Sequence, residues 1–435
     1  MKKNGEVPLL ALLVSTALLI TSLIAGDFGE SLAGIKTILL SPAQLTIDYF
    51  KIGTVGGTFL NVALVGYACV LLLIHGREYA SGPSLMAYFL TIGFSFFGIN
   101  IMNIWPLFAG TWLYARVFKK SFASQVNMAM FATSLVPFVS EMVVRYPAFA
   151  GVPGETGLRI LSAILIGMLC GFLLPILCVH GPNLHKGYSL YNAASVSGFI
   201  AIVLFAILFR AAGYESPTNT DIGVSYPVIS IGFAVTVSCL MILAGFWMNG
   251  RSFRGYREVA FSTAHQVDFV KSNGFAVTLI NIGTVGLAAT LYYFVTGAPF
   301  TGPTVGCIVC LLAVAPCGTT VINLLPIMAG YAIAASFCSF ELSTQAIAVG
   351  LCFAGALSPI AGRYGSLCGV AAGLMHACIV TTVVTFHGGF CLYNGGFTAG
   401  VVAIFLVPIL EAFFTPNHKI AMLPLPKDRI NIGQN

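Results

Sequence analysis

Apolar runs close to twenty residues long follow one another through almost the whole chain, and they leave it little choice of architecture. Such a run, wound as a helix, covers the hydrocarbon core of a bilayer, about 30 Å. The runs are continuous rather than alternating, which suits helices and not an outer-membrane barrel. Charge agrees: only 8% of the 435 residues are charged, against about a quarter in soluble proteins. Most of the chain therefore has no water-facing side to supply. The predicted fold class is an all-α integral membrane protein, a polytopic helical bundle whose main partner is the lipid bilayer.

The spacing predicts spans at 8–25, 53–74, 83–99, 104–118, 122–143, 158–179 and 190–210. A second series follows at 226–248, 275–296, 303–318, 321–338, 343–360, 366–386 and 392–414. Residues 28–50 and 251–271 mix apolar residues with charges such as Lys36, Asp48, Arg254, Arg257 and Asp268. These two stretches are expected to lie flat at the membrane surface. The opening Met-Lys-Lys and the apolar run from Val7 resemble a signal peptide, but no convincing small-residue cleavage site follows. The run is read as a retained first helix.

The net charge of +6 does not point to nucleic acid, because the basic residues sit in short clusters between apolar runs. With Lys2 and Lys3 in the cytoplasm, Arg77, Arg116, Lys119, Lys120, Lys186, Arg251, Arg254, Arg257, Arg363, Lys419, Lys427 and Arg429 fall on the same side. Asp27, Glu30, Glu215, Asp221 and Glu341 fall outside, and Arg145 and Arg159 are exceptions. The distribution predicts a plasma-membrane protein with both termini cytoplasmic. The 12 cysteines lie almost all in apolar segments and read as small buried thiols, with no metal site or disulfide framework.

The chain also repeats itself. Leu190-Tyr191-Asn192 recurs as Leu392-Tyr393-Asn394, each copy opening an apolar helix and each preceded by a His-Gly pair, His180-Gly181 and His387-Gly388. Gly82-Pro83 recurs as Gly302-Pro303, and the spacing to Asn103 and Pro106 equals that to Asn323 and Pro326. Gly53-Thr-Val-Gly56 reappears as Gly283-Thr-Val-Gly286, Gln125 as Gln345, and Pro137 as Pro359. Their shared order predicts two membrane repeats, 1–215 and 216–418, followed by a cytoplasmic tail at 419–435. Each repeat holds about seven segments. An odd number starts the second copy from the opposite face, so the repeats are expected to be inverted, with a pathway between them. That parity survives if one helical pair in each half is re-entrant.

Three groups of residues carry candidate chemistry. Asn103, Pro106, Asn323 and Pro326 form Asn-x-x-Pro elements after short apolar segments. They read either as capped interhelical turns or as broken helices whose freed backbone faces a polar pathway. Tyr191, Asn192, Tyr393 and Asn394, with His180 and His387, read singly as interfacial anchors and loop residues. As a symmetric set their amides and hydroxyls suit replacement of a small solute's hydration. His376 and Glu141 are the ionisable groups at or near membrane depth, candidates for a proton relay or for helix packing and headgroup contact. No Walker loop, GxSxG, HExxH or carboxylate pair occurs in the spans, so neither an enzyme nor a cofactor is expected.

With its doubled Leu-Tyr-Asn and Asn-x-x-Pro elements, the whole chain resembles an uncharacterised bacterial multi-pass membrane family, a domain of unknown function. That resemblance implies a bacterial integral membrane protein and no assigned activity. Tyr393-Asn394-Gly395 is also similar to helix starts in urea transporters, which have inverted halves. Tyr191-Asn192-Ala193 departs from that pattern, and the Pro-rich pore signature is not found. The expected function is a transporter or channel for a small neutral or weakly polar solute. A proton-coupled secondary carrier is the rival, and a non-transporting scaffold is the reading from another class. The sequence permits a homo-oligomer without specifying one.

Overall fold

The computed structural model describes residues 5–414 except 46, 216 and 218–222. Lys2, Lys3, Asp221 and the expected tail at 419–435 lie outside the described residues. Among the described residues the secondary structure is helical throughout. The first half of the chain forms α1 (Glu6–Ala25), α2 (Phe28–Leu39), α3 (Tyr49–Gly53), α4 (Val55–His75), α5 (Gly82–Phe94) and α6 (Trp105–Val117). It continues with α7 (Val126–Ala132), α8 (Val136–Val144), α9 (Glu155–Cys178), α10 (Gly181–His185) and α11 (Asn192–Phe205). The second half forms α12 (Pro227–Met248), α13 (Tyr256–Ala260), α14 (Phe269–Ser272), α15 (Phe275–Thr296) and α16 (Gly302–Val314). It ends with α17 (Val321–Ala335), α18 (Gln345–Ala354), α19 (Ser358–Tyr364), α20 (Ser366–Val383) and α21 (Asn394–Phe413).

Ten helical stretches are long and apolar enough to cross a membrane, so the protein is a multi-pass integral membrane protein by helix length and composition. The sequence predicts about fourteen. The difference lies in α5, α6, α16 and α17, which have 13, 13, 13 and 15 residues. A 13-residue helix is only about 20 Å long. Their apolar runs continue through the turns that follow, because Ser95, Phe96, Phe97 and Ile99 are buried in protein rather than in a helix. Burial sorts the long helices. In α1, α9, α12 and α20 only 39%, 33%, 39% and 44% of the apolar window is covered by protein, so these face lipid. The stretches 122–149 and 345–364, at 83% and 89%, form the interior.

The contacts holding the short helices come in matched pairs. Gly302 N–H at the start of α16 donates to Asp48 Oδ1 at 2.9 Å, and Gly82 N–H at the start of α5 donates to Asp268 Oδ1 at 3.0 Å. Each acid belongs to the opposite half of the chain. Asn61 on α4 donates to Ser95 O and Ile99 O at 3.0 and 2.9 Å; Asn281 on α15 donates to Ala315 O and Thr319 O at 3.0 and 2.9 Å. These amides hold backbone carbonyls left free where α5 and α16 end, which removes a cost that apolar surroundings would otherwise impose. Leu190 N–H donates to Ala356 O and Leu392 N–H to Ser134 O, again across halves. Helices α5 and α16 touch through Gly93 and Gly306, where a Cβ on Gly306 would lie 2.3 Å from Gly93 O.

Two expectations need correction. Asp48 is not a surface charge: it is 1% exposed and works as a buried cap. The two Gly-Thr-Val-Gly elements are not structural equivalents. Gly53–Gly56 spans the α3–α4 junction, where Thr54 at φ 59° caps α4, while Gly283–Gly286 lies inside α15. The match in letters reflects two different needs for small residues: Gly56 lies against Ser31, and Gly286 against Ser238.

Candidate functional site

Helices α11 and α21 begin beside each other and run antiparallel past a seam of small residues. A Cβ on Gly396 would lie 2.7 Å from the Ala194 Cβ, and one on Gly400 2.3 Å from Ser195 Oγ. Small residues allow such an approach where larger side chains would hold the helices apart. The residues just ahead of the two helices are therefore brought together. The Tyr191 and Tyr393 rings lie 5.4 Å apart, centroid to centroid. Phe353 lies 5.7 Å from Tyr191, and Phe94 lies 5.0 Å from Tyr393 and 5.9 Å from Phe353. Four rings from both halves make one aromatic cluster, and Phe94 and Phe353 were not among the residues singled out by sequence. Nothing marked them, since 34 phenylalanines are spread through the chain.

Two cavities flank this cluster. One, of about 450 Å³, is lined by Asn394, Gly395, Leu392, Phe353, Gln44 and Gly388 among others. The other, of about 500 Å³, is lined by Asn192, Ala193, Leu190, Phe131, Tyr191 and Tyr393 among others. The Leu-x-Asn positions of the two doubled elements thus occupy corresponding places in two different cavities. Both walls are mostly apolar with a few polar groups, the composition of small-molecule sites.

The polar groups are held differently. Asn394 Oδ1 lies 3.0 Å from His387 Nε2, and Asn394 Nδ2 donates to Val380 O at 3.0 Å. Burial pushes His387 down to about 4, so it is neutral at pH 7. Its Nδ1 has no partner, and Nε2 facing the Asn oxygen acts as the donor. In the first half the matching lock is absent. His185, which stands as far ahead of Asn192 as His387 does ahead of Asn394, is buried with its Nε2 unpartnered. His180, paired with His387 by the His-Gly match in sequence, is exposed ahead of α10 instead, and Asn192 Oδ1 is buried without a partner. The tyrosines differ too: Tyr191 O–H donates to Cys310 O at 2.9 Å, and Tyr393 Oη has no partner.

Asn103, Pro106, Asn323 and Pro326 line neither cavity. Asn103 Oδ1 accepts from Asn100 N–H, and its Nδ2 donates to Gly98 O and Ser140 Oγ, all at 3.0 Å. Asn323 Nδ2 donates to Ser262 O at 2.9 Å. Pro106 and Pro326 pack on Gly167 and Gly369 of α9 and α20. These elements lock turns and helix contacts, and their hydrogen-bonding capacity is spent there.

His376 is fully buried between Tyr331 Oη at 2.6 Å from Nδ1 and Gly395 O at 2.8 Å from Nε2. A carbonyl only accepts, so Nε2 carries the proton and Nδ1 takes the Tyr331 hydroxyl. Glu141 is 1% exposed and pairs with Arg145 Nε at 2.9 Å; Arg145 Nη2 donates onward to Gln44 Oε1 at 2.8 Å, at the wall of the 450 Å³ cavity. Among the described residues no group of three His, Cys, Asp or Glu is placed to hold a metal ion. All 12 cysteines are free, and nine are buried.

Fold and site together define a multi-pass α-helical membrane protein with two cavities facing a common aromatic cluster. The chain belongs to the family described as "Protein of unknown function (DUF1576)", whose model matches residues 28–210 and 248–412. No curated protein and no solved structure matches it.

Proposed function

We propose that the protein is a passage for a small neutral or weakly polar solute, formed between two inverted repeats at 1–215 and 216–418. The carrying observation is the pair of cavities, about 450 and 500 Å³, that corresponding Asn394 and Asn192 positions line on either side of a 5.4 Å tyrosine pair. In this reading the aromatic cluster is the constriction, and rotation of its rings, or a small rocking of α11 against α21, admits the solute. Inversion is supported by the paired contacts of Asp48 with Asp268 and of Asn61 with Asn281, which repeat the same bonds in both halves. Five long spans fall in 6–210 and five in 227–413, an odd number per repeat. The two family blocks begin near the end of the first helix of each proposed repeat and run close to the end of its last. With basic residues cytoplasmic, the Asn192 cavity faces the cytoplasm and the Asn394 cavity the outside.

The test is flux into liposomes holding the purified protein. Small uncharged solutes should enter faster than into empty liposomes, and Tyr191→Ala with Tyr393→Ala should speed entry further by widening the constriction. Unchanged entry of every solute, with the protein shown to be folded, sinks the reading and favours a scaffold. Reporters fused after 118 and after 250 should both be cytoplasmic.

A proton-coupled carrier rests on His376, whose Nε2 partner Gly395 lies at a cavity wall. Protonation at Nδ1 requires the Tyr331 hydroxyl to turn away, which gives such a relay a switch. An imposed pH gradient should then drive uptake, and Glu141→Gln or His376→Gln should remove the drive. A passage of the first kind ignores the gradient.

A further inference from the structure

Resting on the passage reading, we infer that the Asn192 cavity is the solute-binding station, and that it takes an uncharged molecule presenting a hydrogen-bond donor beside an acceptor, the arrangement of a small carboxamide. Three side-chain atoms at this cavity are buried without a partner: Asn192 Oδ1, Ser189 Oγ and Tyr393 Oη. Ser189 and Tyr393 are each 1% exposed. A buried polar group left unpaired is costly, and proteins rarely keep several along one wall unless something else satisfies them. Among the described residues, none of the side chains lining the Asn394 cavity has such an orphaned atom.

The comparison of the two cavities says what is missing. In the Asn394 cavity a ring N–H of His387 fills the amide oxygen. In the Asn192 cavity the histidine at the same offset, His185, is buried with its Nε2 unpartnered and does not bond the Asn192 oxygen, so that oxygen is left without a donor. A solute N–H takes the place of the imidazole N–H. The Tyr393 and Ser189 hydroxyls each carry a hydrogen and an unused lone pair, and they donate to the solute's acceptor. The Phe131 and Tyr191 rings at the same wall accept a flat, uncharged body. A full charge here would lack a counter-charge, since among the described residues no Asp, Glu, Lys or Arg lines this cavity.

The chain supplies its own reporter, because Cys178 and Cys317 line the same cavity. The intact protein in detergent is treated with N-ethylmaleimide, and the modification rate at each cysteine is followed by peptide mass spectrometry. Acetamide should slow modification of Cys178 and Cys317 about threefold once its concentration is twice its dissociation constant. N,N-dimethylacetamide, which keeps the acceptor and has no N–H, should protect neither, and Asn192→Leu should abolish protection by acetamide. Equal protection by both amides, or by neither while the thiols react, overturns the station and leaves the passage standing. If neither thiol reacts in the folded protein and both react after unfolding, the cavity is closed to solutes, and the passage reading falls with it.

Discussion

Replacing Asp48 by alanine tests the crossed capping of the short helices. Asp48 is 1% exposed. Its Oδ1 accepts from Phe50 N–H and Gly302 N–H, each at 2.9 Å, and its Oδ2 from Val224 N–H at 2.9 Å. The alanine variant strands three backbone donors at a buried site, each worth about 1–3 kcal/mol. Part of that is offset because a carboxylate no longer has to be kept out of water. Burial pushes the Asp48 carboxyl above the usual range while the backbone donors pull it back, which shows the two effects opposed. The net loss should be about 2–4 kcal/mol. For a cooperative unit of this size each kcal/mol is worth about 1–2 °C, so the melting midpoint should fall by about 2–8 °C. A thiol-reactive fluorophore measures it, because nine of the 12 cysteines are buried and, apart from Cys178 and Cys317 at the Asn192 cavity, become reactive as the protein opens. The counterpart provides the scale. Asp268 accepts from Gly82 N–H and, at 3.3 Å, from Lys271 N–H, and its side chain is 20% exposed, so water replaces part of what alanine removes. Asp268→Ala should cost only about 1 kcal/mol. A loss for Asp268→Ala equal to that for Asp48→Ala, or no measurable loss for Asp48→Ala, would refute the reasoning.

The same melt checks four further expectations. Tyr191→Phe breaks the bond to Cys310 O and should cost about 1 kcal/mol, while Tyr393→Phe removes an unpartnered hydroxyl and should leave the midpoint unchanged or raise it. Asn394→Ala strands His387 Nε2 and Val380 O and should cost about 2–3 kcal/mol; Asn192→Ala, which removes an orphaned oxygen, should be near neutral. Gly306→Val drives a Cβ to 2.3 Å from Gly93 O and should cost at least about 3 kcal/mol, whereas Gly157→Ala, with open space around it, should be neutral or stabilising. His387 and His185 are both pushed by burial to about 4, below the ordinary 6.5, so the unfolded chain takes up the protons first. Their contribution is full above pH 6.5 and is lost as pH falls towards 4, at about 3 kcal/mol each; His387→Gln should measurably reduce the drop in midpoint between pH 7.5 and pH 4.5.

How much of this was legible in the sequence depends on the kind of residue. The long spans were, because about 30 Å of hydrocarbon demands a long apolar run and leaves a visible one. The short helices were not separated from spans, because the turns after α5 and α16 are roofed by protein and stay apolar: Phe96, Phe97 and Ile99 look like helix interior and are not. What marks those turns is remote in sequence. Asn61 and Asn281 hold them from neighbouring helices, and a lone Asn in an apolar run says nothing of what it reaches. Asp48 and Asp268 did leave a trace, lying the same distance ahead of Gly82-Pro83 and Gly302-Pro303. The trace was readable only as surface charge, since each caps the helix of the other half and not its own.

The doubled Leu-Tyr-Asn was legible as a repeat, and its chemistry was not, because the two copies are identical where their surroundings differ. Tyr191 is bonded and Tyr393 is free; Asn394 is bonded and Asn192 is free at its oxygen. The free members are not on one helix: Tyr393 opens α21, Asn192 opens α11, and both line the Asn192 cavity. A symmetric frame with equally filled partners would have two equivalent stations and no preferred side. Here the caps of Asp48 and Asp268 are paired across the halves, while unpartnered oxygens of Asn192, Ser189 and Tyr393 line the Asn192 cavity and, among the described residues, no orphaned atom belongs to a side chain lining the Asn394 cavity. In the proposed passage, paired caps in the scaffold and unequal donors and acceptors at the two cavities would give solute one side on which to be held.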